Sequence, residues 1–202
     1  MAIAGSVDVG AHRLDEYLQA ARLALDPARV HIELDLTPGI ALAEAILADI
    51  DRNRYGSFSQ EEQRACGRQV LEALTLELDG RPLRIQPETS SFPEVDAVSR
   101  GEGTIRLHLA ATLPRLSAGA HHLLFRNRHH PDHSVYLANA LVPGSDQVAI
   151  TGQRRDADQT ELTIDYTLRG GRVLSASAWL WSALAAATVL SALLMRRVRF
   201  RR

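Results

Sequence analysis

The stretch DRNRYGSFSQEE, residues 51–62, spaces oxygen-bearing side chains as a hard divalent cation requires. Calcium takes about six to eight oxygens, and a loop of about twelve residues supplies them from positions 1, 3, 5, 7, 9 and 12, with glycine at position 6 for the sharp bend. Counted from Asp51, a carboxylate stands at position 1, the Asn53 carboxamide at 3, Gly56 at 6, the Ser57 backbone carbonyl at 7, Ser59 at 9 and the Glu62 carboxylate at 12. Ser59 suits a water-bridged contact, and Glu62 can bind through both oxygens. Tyr55 occupies position 5, where a neutral phenol at the end of a ring replaces a short oxygen donor badly. With Arg52 and Arg54 in the same turn, the spacing predicts weak calcium binding, with Kd about 10⁻⁴–10⁻³ M.

A second dense group of ligand types is histidine: His121, His122, His129, His130 and His133. Imidazole suits nickel, copper and zinc, so HHPDH is the alternative metal segment. Neighbouring histidines on a strand point to opposite faces, which opposes a shared site. His12, were it a processed N-terminus, would offer an amine and a ring to copper. The sequence contains no nucleophile elbow, phosphate-binding glycine loop or zinc-protease signature, and it is read as non-enzymatic, with no small-molecule substrate evident. A formal charge of −1 gives no reason to expect nucleic acid.

The elements that must hold the loop are legible on both sides. Ala43, Ile46, Leu47 and Ile50 recur at helical spacing before Asp51, and Cys66, Val70, Leu71 and Leu74 form a weaker stripe after Glu62. Together with the loop they predict an EF-hand helix–loop–helix over residues 40–74, with apolar Phe58 propping the loop against a neighbour. VHIELDL at 30–36 alternates strictly and is a half-buried strand; DPAR before it makes a turn, so residues 14–36 form a hairpin. Asp79-Gly80 between apolar alternations marks a second hairpin over 74–85. Further strands are expected around 104–110, 120–125, 135–141, 147–153 and 161–168. This pattern predicts a mainly β chain: an antiparallel immunoglobulin-like β-sandwich over residues 12–168 with the helix–loop–helix inserted early.

The remaining length has a different character. From Leu174 to Met195 no residue is charged, and at about 1.5 Å per helical residue the run crosses a hydrocarbon core of about 30 Å. A linker at 169–173 precedes this expected transmembrane helix, and Arg196, Arg197, Arg199, Arg201 and Arg202 follow it in the tail 196–202. The positive-inside rule places that tail in the cytoplasm and the domain outside, with Trp179 and Trp181 at the opposite interface. Residues 1–11 lack the basic start of a signal peptide, but Val9 and Ala11 fit the end of one, so they are read as a possible remnant. The single cysteine, Cys66, forms no internal disulfide.

AHRLDEYLQ, the loop, NRHHPDHSVYLANALV and the C-terminal apolar run together resemble a group of bacterial membrane-anchored EF-hand-containing proteins. The AH start, strands and loop are also similar to the periplasmic N-terminal region of nickel/cobalt transporters of the hydrogenase/urease accessory type. The resemblance implies a single-pass protein of the bacterial inner membrane with a periplasmic domain and a protein partner in or near the membrane. It also implies either weak calcium binding by a structural or interaction module, or the presentation of nickel, cobalt or copper.

Overall fold

A computed structural model describes residues 15–169. The expected remnant at 1–11, His12, the linker beyond Arg169, the apolar run at 174–195 and the basic tail at 196–202 lie outside these residues. Among the described residues no helix is long and apolar enough to cross a membrane.

The first two strands, β1 (Tyr17–Asp26) and β2 (Arg29–Pro38), pair antiparallel in unbroken register from Tyr17↔Pro38 to Asp26↔Arg29. Pro27 and Ala28 make the connection, since proline fixes a φ near −65° and cannot extend the ladder. Val30, Ile32, Leu34 and Leu36 are buried on one face of β2, as strict alternation demands. Two helices follow, α1 (Ile40–Ile50) and α2 (Gln60–Ala73). The chain then enters β3 (Leu74–Leu78) and β4 (Arg81–Pro82). Asp79 and Gly80, at φ 50° and 76°, turn between them with the positive dihedrals a tight hairpin needs. The remaining elements are β5 (Gln86–Ser91), α3 (Val95–Ser99), β6 (Ile105–Thr112), β7 (Gly119–Asn127), β8 (Ser134–Ala140), β9 (Val148–Arg155) and β10 (Glu161–Leu168).

The strands form two five-stranded sheets, ordered β5-β6-β2-β1-β8 and β4-β3-β7-β10-β9. Their inward residues share one core, in which Leu23, Val30, Leu34 and Ile105 of the first sheet join Leu123, Phe125, Leu162 and Ile164 of the second, all fully buried. The expectation of a wholly antiparallel arrangement fails at one place: β1 pairs with β8 in parallel, from Tyr17↔Ser134 to Leu23↔Ala140. A parallel pair requires a long crossover, and here everything from β2 to β7 intervenes, a connection that local alternation does not encode. β5 also goes beyond expectation; all six of its residues are exposed, so it carries no apolar alternation.

The helices join the core through one face each: Ile46 and Ile50 from α1, and Cys66 and Val70 from α2. Leu74, expected as the last position of the helical stripe, is instead the first residue of β3 and pairs with Asn127. Burial at this join is what positions the intervening loop. Truncating Ile50 to alanine would cost about 2–5 kcal/mol and loosen it.

Candidate metal centre

The loop between α1 and α2 is closed by its own polar atoms. Both Asp51 oxygens accept loop amides, Oδ1 from Tyr55 N at 3.2 Å and Oδ2 from Gly56 N at 3.0 Å. Asn53 Oδ1 accepts the Tyr55 amide at 2.8 Å. Arg54 and Gly56 take positive φ, 57° and 71°, and this pair of left-handed residues folds the chain back on itself. Glycine takes that conformation without strain, whereas arginine is strained there. At the far end Glu62 Oε1 accepts Asn53 N at 3.3 Å, bringing position 12 beside position 3.

Ser59 is the N-cap of α2. Its Oγ accepts Glu62 N at 3.3 Å, while Glu62 Oε2 accepts Ser59 N at 3.0 Å and Ser59 Oγ at 2.7 Å, a complete capping box. These bonds, led by the Ser59 hydroxyl, hold the Glu62 carboxyl below its usual pKa, so it is an anion at neutral pH. Asp51 and Glu62 are both buried, while Tyr55 at position 5 is 84% exposed. Beside the loop lies a depression of about 360 Å³ lined by Arg52, Asn53, Ser59, Glu61, Glu62 and Ala65. Phe58 packs edge-on against Phe92, ring centres 5.5 Å apart, and its carbonyl accepts Gln63 Nε2, so the loop is propped against the segment after β5.

Asp51, Asn53, Ser59 and Glu62 thus bond within one turn, to which Tyr55 contributes its amide while its side chain stays exposed. Ser57 lies in the same loop, in the exposed stretch between Gly56 and Phe58. Of about four lone-pair sites on each carboxylate, Asp51 uses two for the Tyr55 and Gly56 amides, whereas Glu62 is met by Ser59 Oγ and the amides of Ser59, Asn53 and Arg52. Ser59, expected to hold a bridging water, is the N-cap of α2, a role foreshadowed by its spacing of three from Glu62.

The histidines are divided. His121 and His122 stand early in β7, and His129, His130 and His133 follow its end; the strand between His122 and Asn127 alone separates the groups by about 17 Å. His121 Nδ1 meets Asp79 Oδ2 at 2.8 Å and Nε2 meets the Ser117 carbonyl at 2.9 Å. Two acceptors favour the doubly protonated ring and raise its pKa, the Ser117 carbonyl contributing most. A ring so held cannot serve as a general base without losing one bond. His122 pairs with Asp165, which also binds Arg154.

His129 is 5% exposed, and burial together with neighbouring His130 depresses its pKa to about 4. Its segment is tied down by backbone bonds. The His129 carbonyl accepts Gln19 Nε2 at 2.7 Å, Tyr136 Oη at 2.9 Å and Ser134 Oγ at 3.1 Å. Asn127 Nδ2 donates to Gln19 Oε1, and Asn127 Oδ1 accepts His129 N. Gln19 and Asn127, buried polar residues on strands, were not singled out by sequence; an amide at an inward position of an alternating strand was the available signal. Among the described residues no three His, Cys, Asp or Glu side chains converge on a common point for a metal ion.

Compared with known proteins, the chain matches no family, and no curated sequence or solved structure is significantly similar to it.

Proposed function

We propose that this chain is a non-enzymatic calcium-responsive structural or interaction module, with an EF-hand-like loop carried on an immunoglobulin-like β frame and anchored in a bacterial inner membrane. The observation that supports the calcium reading is the closure of the loop by Glu62 Oε1 on Asn53 N at 3.3 Å, which brings the position-12 carboxylate to the backbone of position 3. Calcium would be held by Asp51, Asn53, the Ser57 carbonyl and Glu62, with Ser59 fixing Glu62 through the cap. Affinity is weak because Tyr55 supplies no short oxygen and only two ligands carry charge; Kd is about 10⁻⁴–10⁻³ M, as in modules exposed to abundant calcium.

In this reading the anchor is the apolar run 174–195, and the five arginines after it support a periplasmic position for the described domain. Two experiments test the reading. In an amide-resolved NMR titration of metal-stripped protein, the Asn53, Tyr55 and Gly56 signals should move together at millimolar calcium. Shifts confined to other regions would refute the loop as the site. A reporter fused after Arg202 should be cytoplasmic and one before Asp15 periplasmic; the reverse pattern would refute the topology.

A further inference from the structure

Strand β8 ends the first sheet and has none of the usual protections of an exposed edge. From Ser134 to Ser145 the sequence SVYLANALVPGS is uncharged, and no proline, lysine or bulge interrupts β8 itself. Leu137 and Leu141 are each 40% exposed beside that edge. In the parallel ladder with β1, backbone groups of His133 and Leu141 bond to β1, so those of Tyr136, Ala138 and Ala140 point away from the sheet. A strand with this composition and a free row of amides and carbonyls is a template for a second copy of itself.

Two side chains from β9, at the edge of the other sheet, occupy that row. Gln153 acts as a substitute peptide group: its Oε1 accepts Ala140 N at 3.0 Å and its Nε2 donates to Ala140 O at 3.4 Å. Arg155 Nε donates to the Ala138 carbonyl at 2.7 Å, and its Nη2 reaches Asn139 Oδ1 and Gln153 Oε1. Gln153 and Arg155 are two apart on β9 and so lie on one face of it, matched to Ala140 and Ala138, which are two apart on β8.

We propose that Gln153 and Arg155 form a side-chain latch that closes the β8 edge against antiparallel β8–β8′ pairing of two copies of this chain. The latch stitches the two sheets together and keeps the chain from associating through its uncharged edge. It is independent of the calcium and membrane readings.

The test uses the full-length chain in detergent micelles, with protein mass measured by sedimentation. Gln153→Ala/Arg155→Ala should roughly double the protein mass through a symmetric dimer. Adding Ala140→Pro, which removes the edge donor a new ladder needs, should return it to monomer. A double variant that stays folded and monomeric, or a dimer unaffected by Ala140→Pro, would overturn the proposal. Should the double variant fail to fold, hydrogen exchange on Gln153→Leu decides the matter. The Ala140 amide should lose its protection while the Leu141 amide, bonded to Leu23, keeps it. Unchanged protection at Ala140 would show that Gln153 does not cover the edge.

Discussion

Residues 51–62 and 121–133 both concentrate metal-ligand side chains, yet the fold treats them in opposite ways. The first stretch is a turn between two helices, with left-handed residues at Arg54 and Gly56 that fold it back until Glu62 meets Asn53. The second straddles a strand, and an extended backbone advancing about 3.4 Å per residue carries His121 and His122 far from His129, His130 and His133. Density of ligand types is thus a poor guide by itself. What gathers donors is a backbone that reverses within the span of the motif.

Glu62→Gln should have the largest effect on the turn. Glutamine can still serve the capping box, so α2 should stay folded with its thermal midpoint little changed, while calcium affinity falls by more than about tenfold. Calorimetry and a melting curve on the same sample check both halves. If affinity survives, the loop is not the site.

Tyr55→Asp should act in the opposite direction. It returns an oxygen and a charge to position 5, and calcium affinity should rise by on the order of tenfold. Because Tyr55 is exposed, no packing is lost. An unchanged calorimetric isotherm would mean that position 5 does not face the ion.

The histidine region predicts a pH effect in place of a metal effect. His129 stays neutral in the fold down to about pH 4, whereas an unfolded chain takes up that proton near pH 6.5. Between those values the unfolded state binds more protons, so stability falls as pH drops from 6.5 towards 4. Urea midpoints across that window should show the slope, and His129→Leu should flatten it. His121 has the opposite sign: its raised pKa adds stability that is fully present below about pH 6.5 and is lost as pH rises through the folded value.

A smaller effect separates the cap from the site. Ser59→Ala removes the N-cap and should cost about 1 kcal/mol, lowering the melting midpoint by about 2–4 °C. The smallest is a null: His130→Gln/His133→Gln should leave nickel and copper titrations unchanged. Loss of a stoichiometric site there would revive the transition-metal reading.

Much of the frame was legible because it is local. Val30 to Leu36 alternate, Asp79-Gly80 demands a tight hairpin, and the stripe Ala43, Ile46, Ile50 leads straight into Asp51. The parallel seam between β1 and β8 was not, since it joins residues more than a hundred positions apart. β5 was invisible because an exposed edge strand such as QPETSS needs no apolar period. At the loop, Ser59 and Glu62 spell a capping box as well as two calcium-loop positions, and the cap is what the fold forms between them. The polar lock of Gln19 and Asn127 on the His129 segment depends on strands that meet only in the folded chain.

Calorimetric titration of the metal-stripped full-length chain with calcium, and separately with nickel, separates the turn from the histidines as a metal site. A saturable one-to-one calcium isotherm with Kd about 10⁻⁴–10⁻³ M, and no stoichiometric heat from nickel, is the expected result. A stoichiometric nickel site with no calcium heat at millimolar ion would contradict it.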